Sequence, residues 1–387
     1  MTKTKAFLQK HRWSLTGALL GALVFLVLYG VRVLDPVCVD WILNNPSPDP
    51  SQHYLGWVFY RRSGWHLPYL GANYSAIYPY RTSILYTDSI PLLAVVCKLL
   101  GGVLPARFQY LGLWGLFCYA MQGGLAQALI ARIGGVRPQD TAKNRASVLG
   151  AGVLVLFPAL NIRMFAHTAL AANWLVLLAL WVWLCAEQSE NRPSTGKLCL
   201  WWGVLGLLCA GIHLYYLPMV GMVLVATCVQ RGLEKRGPAA VVLPIVSFCA
   251  VALAELVVLG AFAANFAGYS NGYLSGADYF GLFVPWLAQS WEQNVYAGVG
   301  TSLAVVLAMF GIVCNARKAE KFFAAHRDWL IAGAVVLVLD LIAAGGNTVT
   351  VAGHTLFTVP IPQLLMNFWA MFSSCARLAW LAGMLLA

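Results

Sequence analysis

The stretch SPDPSQHYLGWVFYRRSGW, residues 47–65, concentrates groups that could do chemistry in an otherwise apolar chain. It carries a carboxylate at Asp49, an imidazole at His53 and a guanidinium at Arg61. A positioned carboxylate can remove a proton from an acceptor hydroxyl. An arginine can neutralise a phosphate group as it leaves. These residue types suit group transfer from a phosphate-bearing donor, with Asp49 as the candidate general base.

The same residues also have a purely structural interpretation. Asp49 precedes Pro50, and an acid followed by proline is a strong start for a helix. The predicted helix runs to about Arg62 and carries His53 and Arg61 on one stripe. Its aromatic side chains and arginines would then lie among lipid headgroups. On these residues alone, Asp49 is either a catalytic base or a helix cap.

Composition assigns the chain to the membrane. Of its 387 residues, 60% are hydrophobic and only 10% are charged, whereas soluble domains carry about 25% charged residues. The net charge of +11 comes from short basic loops between apolar runs, which is typical of cytoplasmic loops and not of a nucleic-acid-binding domain. The ten cysteines show no disulfide or zinc-ligand spacing. We therefore predict an all-α integral membrane protein with membrane lipids as partners and no nucleic acid.

Alternation of basic and other loops predicts a polytopic helical bundle of about ten spans with a cytoplasmic N-terminus. The run Pro91–Pro105 breaks this alternation, and its short length between prolines predicts a juxtamembrane or re-entrant helix. The predicted spans are Ser14–Leu34, Phe108–Ile130, Ala146–Phe157, Ala169–Cys185, Leu198–Gly211, Leu217–Val229, Ala239–Ala264, Gly300–Cys314, Trp329–Ala344, and a tenth that begins near Cys375.

Two long loops follow from this topology on the outer side, at residues 35–107 and 265–299. The second contains Asp278, Glu292 and Asn294, which either bind acceptor or sugar hydroxyls or are ordinary solvated residues. We treat residues 1–387 as a single transmembrane domain. Because the chain ends inside an apolar run, we expect a truncated member of something longer.

Several motifs resemble a bacterial family of uncharacterised polytopic proteins that is grouped with the GT-C superfamily of membrane glycosyltransferases. The resemblance extends along the whole chain. The motifs are W-I-L (Trp41–Leu43), D-P-x-Q-H-Y-L-G-W-V-F-Y-R (Asp49–Arg61), T-D-S-I-P-L-L-A (Thr87–Ala94), F-Q-Y-L-G-L-W (Phe108–Trp114), R-M-F-A-H-T-A-L (Arg163–Leu170), H-L-Y-Y-L-P-M-V (His213–Val220) and S-S-C-A-R-L-A-W (Ser373–Trp380).

The resemblance implies a GT-C-like seven-span core, a large first periplasmic loop with an essential carboxylate, and a polyprenyl-phosphate-linked sugar as donor. Asp49 matches that carboxylate. Asp88 occupies the position of a charged residue ahead of the next helix, where it is either catalytic or a helix cap. The cation that usually accompanies this element is absent.

The later outer turns supply further candidates for substrate binding. Arg163 is either a phosphate contact or an arginine reaching into the headgroups, and His167 shares its turn, which lacks the acid that relatives often carry. His213 is either a ligand contact or a hydrogen-bonded structural residue. An unpaired Arg377 at the membrane is costly unless it has a partner such as phosphate. His53 and Arg61 complete this set.

The predicted function is transfer of a sugar from a polyprenyl phosphate to a cell-envelope glycan or lipid, with inversion, at the periplasmic face of a bacterial inner membrane. Asp49 and Asp88 are the catalytic candidates. No cofactor or metal ligand is assigned, although a divalent metal held by the two carboxylates stays open. The alternatives are a lipid or sugar transporter or flippase, and a non-catalytic relative that kept the fold.

Overall fold

The computed structural model describes residues 3–164, 166–187, 192–265, 274–285 and 295–387. Its regular structure is almost entirely helical, as the composition predicts. The helices are α1 (Lys3–Tyr29), α2 (Asp40–Leu43), α3 (Asp49–Arg62), α4 (Pro91–Leu99), α5 (Leu111–Ile133), α6 (Thr141–Val155), α7 (Pro158–Met164), α8 (Trp174–Glu187), α9 (Thr195–Ile212), α10 (Tyr216–Leu233), α11 (Pro238–Val258), α12 (Val299–Cys314), α13 (Ala316–Ala325), α14 (Arg327–Gly345), α15 (Gln363–Trp369) and α16 (Trp380–Leu386).

Seven helices among the described residues are long and apolar enough to cross a membrane. Three bent segments, 141–164, 299–325 and 363–386, pass the same test as pairs of shorter helices. Each of the ten predicted spans falls on one of these helices or pairs. Large apolar side chains such as Leu149 and Val313 lie exposed on them, as expected for helices that face lipid. The chain therefore has the pattern of a multi-pass helical membrane protein.

The expectation of a purely helical chain misses one hairpin. Strands β1 (Thr348–Val351) and β2 (His354–Thr358) pair in antiparallel fashion through a two-residue turn, Ala352 and Gly353. Both turn residues have positive φ, 52° and 80°, which matches the twist of tight hairpins. The β-branched, alternating sequence TVTVAGHTLFT contains this signal.

Contacts divide the chain into two compact units. Unit 1 comprises residues 1–181, 210–213 and 253–266, and unit 2 comprises residues 182–209, 214–252 and 267–387. This division does not test the prediction that residues 1–387 form a single transmembrane domain. Much of the predicted outer loop 265–299, including Glu292 and Asn294, lies outside the described residues.

Unit 1 is built on close packing of α1 against α5. Gly17 and Gly21 of α1 have the spacing G-x-x-x-G. They lie against the backbone of α5 at Gly123 and Tyr119. Small residues at this spacing let two membrane helices approach closely. At the start of this pair, Arg12 and Trp13 both donate hydrogen bonds to the carbonyl of Pro138, 2.8 and 3.0 Å away. The N-terminus and the basic loop after α5 therefore lie at the same end of unit 1.

The segment between α1 and α5 folds onto its own helices. Helix α4 has nine residues and is about 13 Å long, too short to cross a bilayer, in agreement with the predicted non-spanning helix. Arg61 holds the turn after α4 by donating to the carbonyls of Gly101 and Leu104, at 2.9 and 2.8 Å. This contact fixes the far end of α3 and directs the chain into α5.

Two carboxylates in unit 2 have structural partners. Asp278 is buried, and its carboxylate accepts hydrogen bonds from the backbone of Ala352 and Gly353 in the hairpin turn, at 3.0 and 2.6 Å. The prediction that Asp278 either binds a substrate hydroxyl or is an ordinary solvated residue fits neither way, because the side chain is buried and its oxygens hold the turn. Asp340 is fully buried on α14 and accepts a hydrogen bond from the amide of Ala382 at the start of α16.

Candidate active site

A strained turn carries one of the predicted catalytic residues. Asp88 and Ile90 both have φ of 52°, in the left-handed region. For a β-branched residue such as Ile90 this is a true outlier, and each such residue costs about 1–3 kcal/mol. Backbone strain of this kind persists only where surrounding contacts impose it, and it concentrates at functional sites. The turn therefore marks Asp88 as a residue whose position is enforced.

Ser89 supplies the contacts that enforce this turn. Its buried hydroxyl donates to the carbonyl of His53 at 2.6 Å and lies 2.8 Å from the hydroxyl of Thr87. The Tyr110 hydroxyl donates to the Ser89 carbonyl. A side chain at Gly56 on α3 would come within 2.6–2.7 Å of Thr87 and Ser89. Helix α3 therefore has glycine at the place where the turn packs on it.

Three histidines surround the Asp88 carboxylate. His213 Nε2 is 3.2 Å from Oδ1, while His53 Nε2 is 3.7 Å from Oδ2 and His167 Nδ1 is 3.9 Å from Oδ2. His53 belongs to α3, His167 precedes a short 3-10 helix at residues 168–171, and His213 follows α9. All of these residues belong to unit 1. Segments far apart in the sequence thus converge on one carboxylate.

Asp49 joins the same cluster through His167. Its Oδ2 lies 3.8 Å from His167 Nδ1 and accepts a hydrogen bond from the Ser47 hydroxyl at 3.2 Å. Helix α3 begins at Asp49, and the position before it, Pro48, has no side-chain capping bond. The Asp49 carboxylate therefore faces the histidine cluster, which favours the chemical interpretation of this residue over the helix cap.

The exposed fraction differs among the side chains of the cluster. The side chain of His53 is 1% exposed, whereas those of Asp49 and Asp88 are 28% and 30% exposed. Burial lowers the pKa of His53 despite the neighbouring carboxylates, so that its imidazole is neutral at pH 7. The cluster thus combines one buried, neutral imidazole with two partly exposed carboxylates.

The pKa of Asp88 results from opposing effects. Burial raises it. At the acidic pH where Asp88 titrates, however, the charge and hydrogen bond of His213, followed by the charges of His53 and His167, outweigh burial and hold the pKa of Asp88 well below its usual range. Asp88 is therefore ionised at neutral pH and a weak base. A carboxylate held this strongly in its ionised form is a poor proton acceptor, so this geometry does not support Asp88 as the general base.

The predicted cationic residues have different positions. Arg163 on α7 is 2% exposed, which excludes an arginine reaching into headgroups and leaves its phosphate contact as a prediction. The guanidinium of Arg61 donates its hydrogen bonds to backbone carbonyls. This geometry therefore does not support the predicted contact between Arg61 and phosphate. Arg377 belongs to unit 2, where its guanidinium lies 4.9 Å from the ring centre of Tyr215.

Sequence reasoning missed the grouping of the histidines. His53, Asp88 and His167 each offer one ligand atom, and these atoms lie within 4.8 Å of one another. The Asp49 and His53 pair, four residues apart on α3, was the available signal. Sequence reasoning also missed Lys98, which is buried on α4 with its ammonium 4.1 and 4.4 Å from the ring centres of Tyr60 and Trp65.

Fold and site together define a multi-pass helical membrane protein with a carboxylate–histidine cluster formed by the segments between its apolar helices. The chain belongs to the family described as Domain of unknown function (DUF6311), whose model matches residues 18–387. No curated protein and no solved structure matches the chain.

Proposed function

We propose that this protein is a GT-C-type glycosyltransferase that moves a sugar from a polyprenyl-phosphate donor to a cell-envelope glycan or lipid. The observation that carries the proposal is the convergence of Asp49 and Asp88 on His167, within 4 Å, beside a strained turn. Two carboxylates with different surroundings suit different tasks in one reaction. The motif resemblance to the GT-C superfamily supplies the reaction class.

In this reaction Asp49 is the general base. It takes the proton from the acceptor hydroxyl, whose oxygen then attacks the anomeric carbon while the bond to the donor phosphate breaks. The inverted product follows from attack on the face opposite the phosphate. Asp88 stays ionised and orients the histidines, and the buried Arg163 is the candidate for holding the leaving phosphate.

The proposed setting is a bacterial inner membrane, with about ten spans, a GT-C-like seven-span core and the cluster on the periplasmic side. Support comes from unit 1, where the N-terminus and the basic loop after α5 lie at one end. Basic loops are retained in the cytoplasm. With the N-terminus there, the segment 35–107 that follows α1 would emerge in the periplasm.

The first experiment compares envelope glycans by mass spectrometry in four strains of the host organism. These carry the wild type, a deletion, Asp49→Asn, and the control Asp40→Asn, with the variants matched in protein level. Asp40 is a carboxylate of the same loop in an exposed ion pair with Arg32. We expect the deletion and Asp49→Asn to lose the same single sugar, and Asp40→Asn to keep it.

A sugar that disappears in the deletion but persists at wild-type level in Asp49→Asn would contradict the catalytic assignment. That outcome would favour a lipid or sugar transporter, or a non-catalytic relative with this fold. Transport assays with the lipid-linked sugar in reconstituted vesicles would then separate these two alternatives.

A further inference from the structure

Two of the distances within the cluster are too long for hydrogen bonds. His53 Nε2 and His167 Nδ1 lie 3.7 and 3.9 Å from the same carboxylate oxygen, Oδ2 of Asp88, and contacts of that length are not hydrogen bonds. Ligand atoms around a tetrahedral ion with bonds of 2.0–2.1 Å are about 3.3–3.4 Å apart. The two contacts to Oδ2 exceed this spacing by roughly a few tenths of an ångström. Because the three atoms lie within 4.8 Å of one another, closing on one ion requires the two imidazole nitrogens to approach each other by up to about 1.5 Å.

The two oxygens of Asp88 have separate partners. Oδ1 lies 3.2 Å from His213 Nε2, and Oδ2 faces His53 and His167. Metal-binding carboxylates are themselves hydrogen-bonded, and this outer contact fixes the orientation of the oxygen that binds the ion. His213 is therefore a positioning residue, and Oδ2 is the oxygen available to a ligand.

His53 is buried and is directed at the same carboxylate oxygen. Its ring is 1% exposed, and its Nε2 is directed at Asp88 Oδ2 from 3.7 Å. A metal ion bound at Nε2 would bridge this nitrogen to Oδ2, and the strained turn already holds Asp88 in place for that contact.

We infer that His53 Nε2, His167 Nδ1 and Asp88 Oδ2 form a binding site for one divalent transition-metal ion. Two imidazoles and one carboxylate favour ions such as Zn²⁺ over Mg²⁺ and Ca²⁺, which prefer oxygen ligands. Asp49, 3.8 Å from His167 Nδ1, borders the remaining coordination positions. The inference concerns binding and does not depend on the transfer reaction proposed above.

The test uses the full chain, purified in detergent without a polyhistidine tag and stripped with a chelator. Calorimetric titration with Zn²⁺ should show one ion bound per chain, and Mg²⁺ in large excess should not compete. His53→Ala and His167→Ala should weaken Zn²⁺ binding by more than about 100-fold. His213→Ala should keep the stoichiometry and weaken binding by about 10–100-fold, as outer contacts do.

His66→Ala is the matched control, because His66 lies in the same loop and packs on Tyr74 outside the cluster. It should bind Zn²⁺ like the wild type. In case the site variants fail to fold, pulsed EPR of the Cu²⁺-loaded wild type should detect two imidazole nitrogens. The inference is overturned if the wild type binds no stoichiometric Zn²⁺, if His53→Ala and His167→Ala bind it unchanged, or if no imidazole nitrogen couples to Cu²⁺. Zn²⁺ binding without sugar transfer would reject only the proposed function.

Discussion

Asp88 and Asp278 show how the surroundings of a carboxylate determine its role. Both are acids in loops between apolar helices, and both were candidates for contact with substrate. Asp278 is saturated by backbone amides of a hairpin turn, which makes it structural. Asp88 is instead surrounded by imidazoles and held in a left-handed conformation that aspartate tolerates better than most residues. Only the second environment leaves an oxygen for chemistry.

Lys98 is a further residue whose charge depends on its surroundings. Its ammonium lies between the rings of Tyr60 and Trp65 and 3.2 Å from the carbonyl of Gly64. The rings favour the charged form, but burial lowers the pKa of Lys98 to about 8. In the unfolded chain a lysine has a pKa of about 10.4. Between these two values the unfolded chain binds more protons than the folded one.

Stability rises with pH wherever the unfolded state binds more protons. The contribution of Lys98 to the free energy of unfolding should therefore increase from pH 8 to about pH 10. Below pH 8 it should add no pH dependence. We expect the difference in melting temperature between wild type and Lys98→Met, measured in detergent, to shift in favour of the wild type across this interval. The exposed Lys143→Met is the control and should show a constant difference. A constant difference for Lys98→Met as well would refute the lowered pKa.

At the scale of elements, the site depends on close approach of backbones. Helix α3 has Gly56 where the turn 87–89 packs on it, and α1 has Gly17 and Gly21 where α5 packs. Glycine within a helix costs about 1 kcal/mol relative to alanine. Its presence at these contacts is explained by packing, since a methyl group would collide with the neighbouring backbone or side chains.

Gly21→Ala should therefore destabilise unit 1. The added methyl group would meet the carbonyl of Tyr119 on α5, and such overpacking costs about 1–3 kcal/mol. Gly221→Ala on α10 is the control, because a methyl group there has open space and gains helix propensity. Thermal unfolding in detergent should show a lower melting temperature for Gly21→Ala and an unchanged or higher one for Gly221→Ala. Equal melting temperatures would argue against the close α1–α5 contact.

At the scale of the whole molecule, segments that lie together at one end of unit 1 must share one side of the membrane. Within unit 1, Arg12 and Trp13 contact Pro138, so the N-terminus and the loop before α6 must share a side. The short α4 cannot cross a bilayer, so it does not reverse the order of the following spans. Both observations agree with a cytoplasmic assignment of the basic loop after α5.

We predict that a cysteine introduced at Thr141 is protected from an impermeant thiol reagent added to intact spheroplasts, because basic loops stay on the cytoplasmic side. A cysteine at Asn44, an exposed residue of the segment between α1 and α5, should react under the same conditions. Labelling of the unaltered chain gives the background from native cysteines. Reaction at Thr141 with protection at Asn44 would invert the proposed topology.

The sequence by itself determined the class of structure and the polar residues that are candidates for the site. Apolar runs of membrane-spanning length predicted the helices, and the Asp49–Pro50 pair predicted α3 from Asp49 to Arg62, as observed. These features are local, because a helix satisfies its own backbone and its start depends on a few adjacent residues. Asp49 could be selected for the same reason, as a polar residue at the start of a predicted helix, whereas Asp88 and His167 were selected through the resemblance to the GT-C superfamily.

Only the tertiary structure decided which of these groups meet. Apolar periodicity shows that a helix face is covered, but it does not say by which segment. The Asp49–His53 spacing was the one local signal, and nothing local placed His167 and His213 beside Asp88. The hydrogen bonds from Arg61 to backbone carbonyls likewise had no local signal. The left-handed backbone at Asp88 and Ile90 belongs to the same class, because long-range contacts from Ser89 and Tyr110 impose a conformation that the local sequence disfavours.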